Sequence, residues 1–451
     1  MYMESITNIS PIDGRYQHKT KDLAIFFSEF AYIRYRLLVE IRYFIFLSNL
    51  GLFDITNHEK DLMLNIYANF NYKEAEKVKH LESVCNHDVK SIEYYIKEKI
   101  SDTTLNPLKE FIHFGLTSQD VNSMGNMIRL KESISTVIIP HIEEILDILK
   151  CYGSQWANVT MLSRTHGQPA TPTLLGKELV VFYERIIIQV NLLLNIDYSS
   201  KFGGCIGNMN AHCLAYPEIN WLYAMDEFVA KFNLTRNQYT TQIDHYDNYA
   251  QIFDIIRRIN TILIDLNTDI WEYISMDYFK QTIVASEVGS STMPHKINPI
   301  DFENSEGNLL LGNALLNFLS NKLPISRLQR DLTDSTITRN IGSSLAYSLI
   351  GYKSIIKGLK KLTLNMDKIK KDLEDNWIII VEGIQTILRS YQIPNAYELL
   401  KDLSRNHDST SSYDCIKKIN TFIDGLDVSE EVKTKLRNVT PFNYVGRVPS
   451  I

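Results

Sequence analysis

IFDIIRRINTILIDLNTDIWEY, residues 252–273, decides the fold class. From Ile252 the apolar series Ile255, Ile259, Ile262, Leu266, Ile270 and Tyr273 recurs three and four residues apart. On a helix that spacing keeps one face apolar for about six turns, with Asp254, Arg257, Arg258 and Asp265 on the others. Leu345, Leu349, Tyr352, Ile356 and Leu359 repeat the pattern. Further long candidates run from Ser133 to Tyr152, from Thr173 to Ile196 and from Asn308 to Lys322. Strand-type alternation is nearly absent, so the chain is expected to be all-α. The exception is KFGGCIGNMNAHCLAYPE, residues 201–218, whose glycines suggest a small hairpin or an irregular insertion. Helices this far beyond the usual length of about 11 residues suggest a bundle, and their wide apolar stripes suggest self-association.

Breaks at Pro107 and in the polar stretch after residue 361 suggest three helical domains: 1–111, a central long-helix bundle at 112–362, and 363–451. The chain has 451 residues, 45% hydrophobic and 22% charged, which is the composition of a folded protein. MYMESITNIS has no basic start followed by an apolar run, and no stretch reaches the roughly 18 apolar residues of a membrane span. A cytoplasmic protein without a membrane partner is expected. The five cysteines are scattered and form no CxxC pair, so they read as reduced thiols. A net charge of −6 argues against a nucleic-acid partner and leaves local basic clusters to hold any phosphate on a small ligand.

Polar chemistry concentrates in a few places. EVGSSTMPHKINPIDFENSEGN, residues 287–308, sets Gly289, Ser290 and Ser291 before Lys296, with Pro294 and Pro299 delaying a helix until Ile300. Such a loop is either a flexible surface loop or a carrier for a serine whose alkoxide is stabilised by Lys296 and backbone N–H groups. SRTHGQPATPT, residues 163–173, puts His166 in a loop pinned by Pro169 and Pro172, ahead of a helix that Thr173 can cap. CNHDVKSIEYY places His87 between Asn86 and Asp88 at a helix start, where capping accounts for Asn86 or Asp88 but not for the histidine. Thr117 and Ser118 mark another helix start, as caps or as anion ligands. SRLQRDLTDSTITRN carries Arg330, Ser335 and Arg339, of which the last two share a helix face. Either they bind a phosphate or carboxylate, or they form a solvated face paired with Asp331 and Asp334. SPIDGRY adds Arg15 and Tyr16 as a candidate anion contact. The histidines form no HxH or HExxH pair, and neither a lysine-bearing phosphate loop nor GxGxxG after a strand occurs. Neither metal nor cofactor is expected, so side chains must carry the chemistry.

Taken together, GSSTMPHKINP, SRTHGQPATPTLLGKE, TTQIDHYD, DFENSEGN and RDLTDSTITRN resemble the fumarase and aspartase superfamily, and within it the adenylosuccinate lyase family. The likeness runs from SPIDGRY to the closing TPFNYVGR. The serine loop is common to the superfamily, whereas NHDVK, the Ser335 and Arg339 pair and Arg15 with Tyr16 point to the family. The resemblance implies β-elimination of fumarate from a nucleotide substrate, with Ser290 as base, His166 as acid and Glu303 orienting the imidazole. It implies that Lys296 and Asn298 stabilise the charged intermediate and that His87 lies beside the substrate as a second catalytic histidine, contacting phosphate or assisting the acid. Asn86 and Asp88 would bind substrate, Arg15, Tyr16, Arg330, Ser335 and Arg339 would contact mainly its phosphate and carboxylate, and Thr117, Ser118, Gln242 and Asn304 would lie at the succinyl end. It also implies a homotetramer with a superhelical core and active sites built from three subunits. A sister lyase acting on argininosuccinate or fumarate's hydrate, or a non-catalytic structural relative, are the alternatives.

Overall fold

The computed structural model describes residues 6–282, 293, 296–405 and 412–449. The expected helices are present: Asp247–Ser275 has 29 residues, Ile300–Lys322 has 23, Leu175–Leu194 has 20 and Ile341–Leu359 has 19. At 1.5 Å per residue the first is about 44 Å long. The candidate read as Ser133–Tyr152 is the second half of a longer run. Ser118–Ser133 passes through a wide π turn at Ile134–Ile138 into Ile139–Gln155. Pro140 explains the widening, because it has no N–H to give to Thr136 and the ladder shifts by one residue around it.

The chain divides into two compact units. The first comprises residues 1–143, 188–264 and 305–353. Its helix Glu29–Asn49 is started by Ser28, whose hydroxyl accepts the Ala31 N–H. Ile33, Leu37, Ile41 and Phe44 on that helix pack with Met63, Val78, Ile92 and Ile96 of the following helices. Another face of the helix places Tyr43 edge-on to Phe202 and Phe228. The segment at 201–218 is irregular: after the strand residues Ser199–Ser200 the chain turns through its glycines into the short helix Asn210–Ala215.

The second unit comprises residues 144–187, 265–304 and 354–451. Its C-terminal helices pack Leu373, Ile384, Leu388, Leu400, Ile419 and Leu436 into one core. Residues 163–173 are part of an antiparallel hairpin, Thr160–Thr165 with Gln168–Leu174, where the sequence suggested a loop. Pro169 and Pro172 fit because a two-stranded ribbon has only edges, on which a missing N–H breaks no second ladder. His166 and Gly167 close it with φ of 53° and 74°, the two left-handed residues of a type I′ turn. Thr173 lies in the strand, and its hydroxyl donates to Glu178 at 2.6 Å.

Candidate active site

The first unit contains a cleft of about 460 Å³ whose walls come from five parts of the chain. One wall is the junction of two helices. Tyr72–Cys85 ends at Asn86, which takes φ 50°, a left-handed conformation that asparagine tolerates. The chain reverses there, and His87 becomes the N-cap of Asp88–Ile100. Its Nδ1 accepts the Lys90 N–H at 3.1 Å, so a neutral ring carries its proton on Nε2. The histidine, and not the flanking Asn86 or Asp88, is therefore the cap. Asp88 sits at the first helical position, with Oδ1 accepting the Val89 N–H.

Asp88 Oδ2 is held by Arg36 at 2.7 Å and by Arg339 at 3.0 Å. Burial alone would raise the Asp88 pKa, but Arg36 first and Arg339 after it hold the carboxyl below its usual range. Arg36 is nearly buried, and its Nε also donates to Asn122 at 2.8 Å. Arg339 makes a second, more exposed pair with Glu29 at 3.2 Å. The sequence alternative, a helix face paired with Asp331 and Asp334, does not describe these arginines: Arg339 pairs with Asp88 and Glu29, while Asp331 pairs with Arg327.

The opposite wall is the six-residue helix Thr333–Thr338. Ser335 Oγ accepts from Gln119 Nε2 at 3.2 Å and from Arg330 Nη2 at 3.3 Å. Arg330 Nη1 donates to Gln242 at 3.0 Å, which brings Gln242 to the same cluster. Asp334 accepts from the Tyr246 hydroxyl at 2.9 Å. Burial, reinforced by Asp334, pushes the Tyr246 phenol well above its usual pKa and keeps it a donor. Guanidinium forks, a hydroxyl and amides converging on one open space suit a ligand with several anionic oxygens.

The floor is the start of Ser118–Ser133, where Thr117 is the N-cap and its N–H donates to Asp120 at 2.8 Å. The other carboxylate oxygen of Asp120 forms a completely buried pair with Lys201 at 2.6 Å and accepts the N–H groups of Gly203 and Gly204. Gly204, at φ 76°, supplies a backbone that a side chain would strain. The pair therefore fastens the glycine-rich segment to the helix that presents Ser118. Cys205 of that segment accepts from Gln242 Nε2 at 3.6 Å.

Of the residues singled out in the sequence, Asn86, His87, Asp88, Ser118, Arg330, Ser335 and Arg339 line the cleft. Arg15 and Tyr16 are not among its lining residues; the Arg15 guanidinium lies 6.0 Å from the Tyr16 ring centre. Tyr32, Arg36, Gln119, Asn122, Asn126 and Tyr246 line it without having been singled out. A signal existed for three of them: Gln119, Asn122 and Asn126 are three and four apart, a polar stripe on a helix whose residues are mostly buried. Arg36 carried a weaker one, as a nearly buried charge four residues after Tyr32 on the same helix.

The remaining candidates belong to the second unit. His166 stands exposed at the hairpin tip. Glu303 accepts from Trp271 Nε1 at 3.1 Å, and among the described residues it makes no hydrogen bond to His166. Asn304 accepts the Ser354 hydroxyl at 2.8 Å. The Lys296 side chain is exposed, and its N–H donates to the Met293 carbonyl; Asn298 is half-buried. Ser290 and its neighbour Ser291 lie outside the described residues. Among the described residues no cluster of histidine, cysteine or acidic side chains could hold a metal ion, and no helix is long and apolar enough to cross a membrane.

Comparison with known proteins adds the chemistry. A family model described as Lyase matches residues 48–314, and one described as Adenylosuccinate lyase C-terminal matches residues 326–445. The chain is 50% identical to the adenylosuccinate lyase of Dictyostelium discoideum, over 99% of this chain and 98% of that one. It is 43% identical to the enzyme of the same name from Escherichia coli K12, with the same coverage. Among solved structures, a fumarate lyase from Mesorhizobium sp. BNC1 matches with a TM-score of 0.75 at 15% identity, covering 94% of this chain and 95% of that one. The 3-carboxy-cis,cis-muconate lactonizing enzyme of Pseudomonas putida matches with a TM-score of 0.74 at 17% identity, covering 94% and 93%. At such identities these two speak for the shared helical fold alone.

Proposed function

The chain belongs to the adenylosuccinate lyase family, and we propose that it is a carbon–nitrogen lyase that splits adenylosuccinate into AMP and fumarate by β-elimination. The companion cleavage of SAICAR to AICAR, with the same succinyl leaving unit, fits the same site, which makes this an enzyme of purine nucleotide biosynthesis in the cytoplasm. The cleft carries the reading on the structural side, since Arg330, Ser335, Arg339 and His87 offer donors to a nucleotide's phosphate and carboxylates. A sister lyase whose substrate has no phosphate would have less use for so many.

The elimination needs two groups. A base removes a proton from the succinyl carbon next to a carboxylate, the C–N electrons leave with the purine nitrogen, and an acid protonates that nitrogen. By family likeness Ser290 is the base and His166 the acid. Lys296 and Asn298 stabilise the extra charge that develops on the carboxylate. A serine is a poor base in water, so exclusion of solvent from Ser290 belongs to the mechanism. By the same likeness Glu303 orients the imidazole. Because Glu303 bonds to Trp271 and not to His166 within this chain, we assign the His166 partner to a different subunit of a homotetramer in which three subunits build each site. Exposed Val181, Ile188 and Leu192, seven and four residues apart on one helix, support that assembly, as do exposed Leu311 and Phe318.

The test is substrate choice. Purified protein should convert adenylosuccinate, with a change in purine absorbance matched mole for mole by fumarate, and leave argininosuccinate intact. Turnover of argininosuccinate alone would overturn the proposal.

A further inference from the structure

We infer that Tyr32, a residue of the cleft wall with no role in the elimination itself, is a positioning residue that sets the Arg339 guanidinium for the anionic end of the substrate. The inference rests on the proposed nucleotide reading and adds a specificity determinant to it. Tyr32 reaches Arg339 in two ways. Its hydroxyl donates to the Thr338 carbonyl at 2.9 Å, and Thr338 is both the last residue of the short helix Thr333–Thr338 and the one before Arg339. Its ring centre lies 5.4 Å from the Arg339 guanidinium carbon, within cation–π range.

The backbone contact matters because six residues make too little helix to hold itself, and the carbonyls of its last turn have no partner inside it. The phenol supplies one. That bond fixes the end of the element that presents Ser335, and with it the direction in which the Arg339 side chain leaves. Tyr32 is itself fixed: it is 7% exposed, in the first turn of Glu29–Asn49. The Arg129 guanidinium lies 3.4 Å from its ring centre and that of Arg36 5.6 Å. The same first turn supplies Glu29, the exposed carboxylate on Arg339. A tyrosine serving only the core could place its hydroxyl on any nearby acceptor, whereas this one holds the peptide next to a binding arginine.

Tyr32→Phe removes the hydroxyl and keeps the ring. It should raise KM for adenylosuccinate about three- to tenfold, the worth of one hydrogen bond, and leave kcat within about twofold. Tyr32→Leu, which also loses the ring, should raise KM further. In an Arg339→Gln background Tyr32→Phe should change KM by less than about twofold, because the hydroxyl acts on KM through the Arg339 guanidinium that this background lacks. A general loss of stability would reduce the amount of active enzyme and its apparent kcat, not KM. The inference is overturned if Tyr32→Phe leaves KM unchanged in active enzyme, if its effect is undiminished in the Arg339→Gln background, or if the variant fails to fold, since Tyr32 would then be structural. A wild-type protein that does not turn over adenylosuccinate strikes the functional reading instead.

Discussion

His166→Ala is expected to lower kcat for adenylosuccinate by about 10²–10⁴, the usual worth of a positioned general acid or base, with KM little changed. The imidazole stands exposed at the tip of the hairpin, where it fills no core and makes no hydrogen bond to Glu303 among the described residues. Its removal therefore costs little stability, and a large effect on rate must be chemical. The backbone is the one complication, because His166 has φ 53° and alanine is strained there. His166→Asn separates the two causes: asparagine accepts the left-handed turn and cannot donate the proton. His166→Asn should melt close to the wild type and His166→Ala slightly below it, and both should be inactive. A kcat within tenfold of wild type in His166→Asn would remove His166 from the role of acid.

Lys201→Met should destabilise the protein by about 3–5 kcal/mol, the cost of leaving one partner of a buried ion pair without the other. Lys201 and Asp120 are both fully buried, and Asp120 already takes the Gly203 and Gly204 N–H groups. Removing the ammonium leaves a carboxylate that water cannot reach. The loss is measured by denaturant unfolding, and the double variant Lys201→Met with Asp120→Asn should recover part of it. Because the pair anchors the segment whose Cys205 touches Gln242, Lys201→Met should also weaken substrate binding in whatever protein remains folded. A stability loss below about 1 kcal/mol would contradict the account of this pair, since that is the range of a surface salt bridge.

The long helices were legible because their packing is periodic: residues three and four apart from Ile252 to Tyr273 meet the same neighbours whatever the topology. The hairpin around His166 was not. Its prolines read as loop, and only the pairing of two short edge segments makes Thr160–Thr165 and Gln168–Leu174 a ribbon. At the cleft, polar groups that interrupt a pattern could be noticed one by one, as Arg330, Ser335 and Arg339 were. Their partners could not, because Arg36, Asp88 and Arg339 meet only through tertiary packing across some three hundred residues. The cap at residue 87 shows the same limit on a local scale. A histidine is an uncommon cap, and its Nδ1 takes that role because Asn86 has already been used to reverse the chain.

With Glu303 and His166 assigned to different subunits, we place Ser290 and His166 of one active site on different copies of the chain as well, and mixing two inactive variants decides it. His166→Ala and Ser290→Ala, each inactive alone, are combined under conditions that let subunits exchange, with exchange verified by distinct tags. If the two residues come from different copies, random mixing leaves about a quarter of the sites with both native groups, and fumarate release from adenylosuccinate returns to about a quarter of the wild-type rate. Verified mixed assemblies that stay inactive would place both residues in one chain and contradict the claim.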